Sequence, residues 1–522
     1  MSSGQPAEIF SHREIQIVVI ATMLAIFLTF LDQTIVSPAL PHIAADLKSD
    51  ASLSWVVAGY LLAATAMAPI YGKLSDFYGR RLTLQVALAI FLLTSILCAL
   101  AQSLPMLILG RILQGVGGGG LLSTAHAAIA DVVSLRDRGK YQGYLSTNAI
   151  CSTALGPVLG GFFAEHLSWR WIFWINIPLA LFVIAVLQVA LAKLTVKRVK
   201  HKIDYPGAVL VVSALAAVLL VTTLGGAELA WDSPKLIGIA VIACVLVALA
   251  VAWEFRVPEA MLPPRLFRSP VFACAVSGAG LMSMCLVGMS VYLPIYLQLD
   301  HGMHADRVGL AILPLAIGMG AGSAYAGWMV AQLQRYRVFP LVGVSMVIAA
   351  MIVLSRMDHA TPLVLAIATM GVFSLGIGLT QPSSLVAAQN AIDPYDLGAG
   401  TAVHNCTRSM FASFGVTLFG AILIGRLNAV LAENGVGSPD AMSLIHAGPR
   451  ALASVTADKQ AAVLAAIDQA FRDVFLAALG VALLGLVVFL LLRDVPLRTV
   501  AGQAARKAME RMEAGLDASA GD

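Results

Sequence analysis

The stretch Thr29–Pro41, TFLDQTIVSPALP, places one acid, Asp32, inside an apolar run that begins near Ile15. A run of this length is enough to cross a bilayer, and a charge inside it is costly and is kept for a use. At helical rise Asp32 lies ~12 Å short of the far end of the run near Leu40. Carboxylates so placed bind protons, cations or an internal arginine. A polar contact between packed helices is the plain alternative. The remaining apolar runs decide what Asp32 is offered.

The chain has 522 residues, of which 59% are hydrophobic and 12% charged. A soluble domain carries roughly twice that charged fraction. The net charge of +4 is spread over loops rather than clustered, which speaks against nucleic-acid binding. All six cysteines (Cys98, Cys151, Cys244, Cys274, Cys285 and Cys406) fall in apolar runs without metal-ligand spacing, so free thiols among helices are expected. Residues 1–14 are polar and the first apolar run has no small-residue cleavage pattern, which reads as a retained span rather than a signal peptide.

Apolar windows broken by charged or Pro/Gly-rich gaps predict fourteen spans: 15–39, 53–72, 82–101, 105–130, 141–164, 171–192, 205–225, 234–253, 271–297, 307–330, 338–357, 362–388, 398–425 and 473–492. An even count puts both termini on one side. Lysine and arginine concentrate in the loops sharing that side, which makes it cytoplasmic, with Lys193–Lys202 (KLTVKRVKHK) as the clearest anchor.

Five further stretches stand out. Gly72–Arg81, GKLSDFYGRR, is a short turn in which Gly72 and Gly79 permit close approach and Asp76 can pair with Arg80 or Arg81, a charged clasp that one conformation makes and another breaks. A positively charged stop-transfer turn accounts for the same residues. A faint echo appears at Gly327–Arg337, GWMVAQLQRYR, where aligning Gly72 with Gly327 sets Arg80 opposite Arg335 and Asp76 opposite Ala331, as in a duplicated half. In Leu109–Gly120, LGRILQGVGGGG, Arg111 lies ~9 Å from the outer end, near the depth of Asp32, with Gln114 one turn on. The glycines that follow let a neighbouring helix approach closely; no strand precedes them and no Gly-Lys-Ser/Thr follows, so they are not a phosphate loop. Ala154–Gly161, ALGPVLGG, combines Pro157 with Gly156, Gly160 and Gly161 as a kink or rocking contact, and Trp169–Pro178, WRWIFWINIP, is an aromatic belt.

In order and spacing, LDQTIV with its following proline, GKLSDFYGRR, LGRILQGVGGG, RGKYQGY, GPVLGG and WRWIFWINIP resemble the major facilitator superfamily, and within it the fourteen-span drug:proton antiporters. Asp204–Gly207, Leu262–Phe267, Tyr292–Gln298 and Asn405 with Arg408 extend the resemblance more loosely. Ser37, where that family often has asparagine, and the missing acid in the second clasp are departures. The resemblance implies an all-α polytopic membrane protein of two six-helix bundles, 15–192 and 271–492, with two extra spans in 193–270, an outer loop at 426–472, and cytoplasmic tails 1–14 and 493–522. From about Ser454 to Arg472 the outer loop shows helical apolar spacing, suiting a helix on the membrane surface or over the cavity mouth.

The resemblance further implies export of lipophilic, cationic drugs by alternating access, driven by a proton gradient without a cofactor. Asp32 and Arg111 are the expected proton-coupling pair, and Gln33, Gln114, Asn148, Tyr292, Tyr296, Asn405 and Arg408 the candidates for the substrate cavity. Each aromatic or amide also fits helix packing alone, as do His126 and His404. Expected partners are small lipophilic substrates, protons and membrane lipid, with a periplasmic adaptor where the source has two membranes; the chain is expected in the plasma (inner) membrane as a monomer. An enzyme would need a nucleophile with a base or a metal-ligand cluster, and no such constellation appears. A receptor or scaffold would need neither the kink glycines nor two intramembrane arginines. An uptake carrier of the same fold is the nearest rival, and the Gly156–Gly161 motif argues against it.

Overall fold

A computed structural model describes residues 12–47, 53–133, 135–191, 204–225, 229, 232–257, 262–299, 303, 308, 311–359, 361–433 and 457–497. The basic connection 193–202, the middle of the outer loop (434–456) and most of both tails lie outside the described residues. The described chain is helical almost throughout: α1 His12–Ile35, α2 Leu40–Leu47, α3 Ser54–Tyr78, α4 Arg80–Ala99, α5 Leu104–Val132, α6 Leu135–His166, α7 Trp171–Trp174, α8 Asn176–Ala190, α9 Tyr205–Leu224, α10 Pro234–Glu254, α11 Pro270–Leu299, α12 Leu313–Leu333, α13 Val338–Leu354, α14 Leu363–Asn390, α15 Leu397–Glu433 and α16 Ala457–Leu491. Helices dominate because an apolar medium leaves backbone N–H and C=O groups no partner but each other. Local chemistry sets their starts: the Asp204 carboxylate caps α9 by accepting from Gly207 N at 3.0 Å, and Ser233 caps α10 through Leu236 N at 3.2 Å.

Among the described residues, eleven segments are long and apolar enough to cross a membrane, α7 and α8 counting together as Trp171–Ala190. The other three predicted spans are α6, whose first turns are charged, the glycine-rich α12, and α13, which has 17 residues. All fourteen predicted segments are therefore helices, but the outer loop is shorter than expected. Helix α15 runs on to Glu433, and α16 begins at Ala457 and continues into the last span without a break. The apolar spacing read as a surface helix or a lid is thus the start of that span, with Val463, Ala466, Ile467, Ala470 and Phe471 buried in the core.

The core is divided. One apolar cluster joins α11 to α16, from Leu266 to Leu497, while two others lie within α1 to α8. The halves meet where α6 packs on α12 and α3 on α15. Helix α9 sits at that seam, sharing a small cluster with α3 and α15, and the Thr222 hydroxyl lies 2.6 Å from that of Ser413. Helix α10 lies outside α9 and is mostly exposed, as a lipid-facing helix is. On the rim carrying the aromatic belt, Asp46 of α2 accepts from the Trp169 indole at 2.9 Å and pairs with Arg170 at 2.5 Å. The Arg170 bond first, and then that of Trp169, hold the Asp46 carboxyl below the usual carboxylate range. The tie is therefore intact at neutral pH and weakens only as pH falls through that lowered value.

Helix α5 is wedged between α3 and α4 on its glycines. A Cβ at Gly117 would sit 2.7 Å from Ala87 O and Phe91 N, and one at Gly119 would run into the backbone of Ala64. At Gly161, by contrast, nothing lies within 4 Å. Gly119→Leu is expected to destabilise the detergent-solubilised protein by about 1–3 kcal/mol, the usual cost of overpacking. Gly161→Ala should leave the unfolding temperature at or above that of the parent. Thermal denaturation of the three proteins in one detergent checks both.

Candidate functional site

Asp32, near the end of α1, and Arg111, on α5, have no exposed surface. The Arg111 guanidinium donates to Asp32 Oδ2 at 2.5 Å, to Gln114 Oε1 at 2.7 Å and, through Nε, to the carbonyl of Val56 on α3 at 3.0 Å. The other carboxylate oxygen accepts from Asn176 Nδ2 at 2.7 Å and from Gln114 Nε2 at 3.1 Å. Gln114 also donates to Ser95 Oγ of α4 at 2.7 Å. The Tyr60 ring covers the guanidinium at 4.3 Å and Phe173 approaches from α7 at 5.9 Å, both in the range of cation–π attraction. Six helices thus converge on one carboxylate, and the two charges cancel inside a sealed polar knot.

Asp32 and Arg111, read from the sequence as lying at similar depths, are thus in direct contact. Gln114 belongs to this knot rather than to a cavity wall. Gln33, next in sequence to Asp32, lies near Tyr60 and makes none of the hydrogen bonds of the knot. Asn148 donates to the Met23 carbonyl at 2.9 Å and so ties α6 to α1. The kink glycines act at the same contact: a Cβ at Gly156 would strike Thr34 and one at Gly160 the Ile35 carbonyl, so α6 is seated on the turn of α1 that follows Asp32. Gly161 takes no part.

The clasp is also formed, with different partners than the turn alone suggested. Gly79 has φ 91°, a conformation open to glycine, and lets α4 start directly after α3. Arg80 is buried, pairs with Asp76 at 2.6 Å and with Asp131 at the end of α5 at 2.8 Å, and donates to Ser75. Arg81 does not join; it bonds Gln188 on α8. Asp76 Oδ2 accepts from the backbone N–H of Ala399 at 3.1 Å, and a Cβ at Gly72 would sit 2.8 Å from the Gly398 carbonyl. The clasp therefore joins the two halves and closes the seam between α3 and α15 at that end.

In the second half, Gln334 has φ 54° at the position that aligns with Gly79, and these are the only positive-φ residues described. Only the sign of φ is shared: Gly79, with ψ 150°, joins α3 to α4 as a single residue, whereas Gln334, with ψ 26°, opens the longer link 334–337 to α13. The ionic clasp is not repeated either: Arg335 is 4.0 Å from Asp494, and Tyr336 instead bonds the Arg493 carbonyl at 2.8 Å. Tyr292 donates to Val416 O at 2.7 Å, and Tyr296 packs on Phe471 and Phe475 at 5.2 and 5.5 Å, so both serve the core of their half. Asn405 and Arg408 lie on α15 at the seam, partly exposed, with His404 buried beside them. Two open grooves, of about 760 Å³ under Phe163, Trp171 and Trp174 and about 730 Å³ beside Arg335 and Asp494, lie on the outer surface of single halves and touch none of these groups.

Sequence reading missed Asn176, Ser95, Tyr60 and Phe173 around Asp32, and Asp131 and Ala399 in the clasp. Asn176 and Phe173 stood in the quoted belt motif but were assigned to the interface. Ser95 and Tyr60 carry no local signal.

Two bundles meeting along a seam, a buried acid–arginine knot and a cross-half clasp define a polytopic membrane transporter rather than an enzyme. The family model described as Major Facilitator Superfamily matches residues 22–416, and the chain belongs to that family. It is 37% identical over 490 residues to the uncharacterized MFS-type transporter Rv1877 of Mycobacterium tuberculosis, covering 93% of this chain and 70% of that one. It is 33% identical over 408 residues to multidrug resistance protein 3 of Bacillus subtilis, covering 78% and 79% respectively. Among solved structures, the proton:xylose symporter XylE superposes with a TM-score of 0.61 at 14% identity over 95% of this chain and 99% of that one, a likeness of fold.

Opening of the clasp is measurable. In a cysteine-free background, Ala402→Cys is expected to react slowly with a membrane-impermeant thiol reagent applied from the clasp side. Adding Asp76→Asn or Asp131→Asn should raise that rate several-fold, whereas Arg81→Gln, outside the clasp, should leave it unchanged.

Proposed function

We propose that the protein exports lipophilic small molecules from the cytoplasm in exchange for protons, by alternating access, as a single chain in the plasma (inner) membrane with both termini and the clasp on the cytoplasmic side. The observation that carries this reading is the seating of α6 on α1 immediately after a carboxylate whose charge is balanced by one arginine. A proton arriving on Asp32 leaves the Arg111 charge uncompensated in an apolar interior, so protonation and movement of Arg111 form one event. Moving α1 shifts Thr34 and Ile35 under Gly156 and Gly160. Helix α6 carries that displacement to α12 and hence to the other half. In this conformation the clasp is closed, so the cytoplasmic end of the seam is shut. Substrate and proton each need only favour one of two states by a few kcal/mol to drive the exchange.

The relatives named for multidrug resistance support the substrate class of lipophilic drugs. For a cationic substrate, Asp32 would be the natural counter-charge. That carboxylate is occupied by Arg111, Gln114 and Asn176, so this geometry does not single out a cation. The proton gradient is the drive in this reading, with no cofactor, and an adaptor enters only if a second membrane must be crossed.

Inverted membrane vesicles given an imposed pH gradient test the proposal. With a panel of lipophilic dyes of both charges and none, the parent protein is expected to accumulate at least one dye. Accumulation should collapse with a protonophore and fall by tenfold or more in Asp32→Asn. Accumulation that persists without a gradient, or is undiminished in Asp32→Asn, would overturn proton coupling through Asp32.

A further inference from the structure

Charge along the seam is unbalanced. Helices α11 to α14 contain no charged side chain, and the acids Asp32 of α1, Asp76 of α3 and Asp131 of α5 are engaged, Asp32 by Arg111 and the other two by Arg80. At the clasp end of α15, Asp396 pairs with Arg265. Arg408 has no ion pair among the described residues, and its Nε, buried, has no hydrogen-bond partner. It lies eleven residues into α15, which at helical rise is ~16 Å from the clasp end, about halfway through a ~30 Å hydrocarbon layer. Arginine keeps its proton, so this is a permanent charge at mid-membrane.

Two histidines stand close enough to Arg408, and to each other, to interact electrostatically: His126 on α5 and His404 one turn back on α15. The Nδ1 of His126 donates to Leu122 O at 2.8 Å. His404 is 1% exposed, and neither of its ring nitrogens is satisfied; Asn405 lies beside it without the alignment of a hydrogen bond. At about the same depth on α14, ~14 Å from its clasp end, Gln381 has both amide atoms buried and unbonded. Buried polar groups are almost always paired, and an intramembrane arginine faces a protein interior or a water-filled path. An uncompensated cation with unmet polar groups of α14 and α15 near its depth, and with His126 of the other half close by, describes a site whose complement is an anion.

We infer that Arg408, with His404 and His126, forms the anion-binding subsite of the transport path, and that the substrates are amphiphilic anions or zwitterions bearing a carboxylate or a similar group. This rests on the export reading of the same seam. The guanidinium supplies a forked pair of donors matched to a carboxylate. Phe411 and the half-exposed Phe414, on the next turns of α15, supply apolar surface for the rest of the molecule. A lipophilic cation brought to the same place meets an arginine and no free acid.

The experiment is equilibrium dialysis of the purified full-length protein in detergent with three matched probes: 1-naphthaleneacetate, its methyl ester and 2-(1-naphthyl)ethylamine. The parent should bind the carboxylate at least about tenfold more tightly than the ester or the amine, the range of a charge-assisted hydrogen bond. Arg408→Gln should abolish that preference while leaving ester binding unchanged, and Arg408→Lys, which keeps the charge but not the fork, should retain part of it. Unchanged ester binding and an unchanged elution volume show that each variant is folded. Equal binding of carboxylate and ester by the parent, preference for the amine, no binding of any probe, or a preference that survives Arg408→Gln would each overturn the inference. Because dialysis needs no gradient, carboxylate binding without vesicle transport upholds the anion site and counts against export. Transport of dyes without carboxylate preference upholds export and sinks the anion site.

Discussion

Everything in the first half is arranged so that Arg111 and Asp32 can be charged where no water reaches them. Removing two such ions from water costs on the order of several kcal/mol each, and their attraction offsets this only with close geometry and with the remaining donors and acceptors satisfied. The 2.5 Å contact supplies the first condition. Gln114, Asn176, Ser95 and the Val56 carbonyl supply most of the second. Side chains that short meet only if five backbones come close. The glycines of α5 bring it against α3 and α4, and Gly156 and Gly160 bring α6 against α1. The helix packing and the ion pair are therefore one structural solution, and loss of the pair loosens the contact on which α6 sits.

The two halves place a positive-φ residue at aligned positions, Gly79 and Gln334, but build different turns there: ψ is 150° at Gly79, which alone separates α3 from α4, and 26° at Gln334, which opens the longer link between α12 and α13. Only the first copy keeps a buried arginine shared by two acids, and only it reaches across to the other half, through Ala399. In the second copy, Tyr336 and the 493–495 backbone replace those ions with neutral bonds inside a single half. In the proposed alternating-access cycle a contact between halves is broken and remade, whereas one within a half need only persist. On that reading charge is retained where reversibility is wanted.

Most of the fold was legible because a bilayer imposes it: apolar length and the charged gaps between apolar runs locate the fourteen helical segments, and Asp32 and Arg111, read at similar depths, touch. The outer loop was misjudged since helical apolar spacing reads alike for a surface helix and for the first turns of a span. Buried Phe471 decides for the latter. The site was half legible. Arg111 and Gln114 share a helix face, which spacing reveals, but Asn176 reaches Asp32 from 144 residues away and Asp131 reaches Arg80 from 51, and no local pattern encodes such pairings. Asn176 was further disguised by the tryptophans around it.

Separating the two charged sites has a mechanical consequence. The knot at Asp32 is electrically neutral and sealed within one half, while Arg408 lies uncompensated at the seam on the other. A proton at the first and a ligand at the second do not share a side chain, so direct competition for one carboxylate does not couple them. Coupling must pass through helices that touch both, and two routes exist: α1 to α6 to α12 by way of Gly156 and Gly160, and α5 to α15 where His126 meets Arg408. The second is the shorter. Arg111 and His126 lie on the same helix about four turns apart. In the proposed exchange, displacement of α5 as Arg111 follows or leaves Asp32 therefore moves His126 relative to Arg408 and reshapes the place where an anion would sit, so substrate and proton act on the position of one helix.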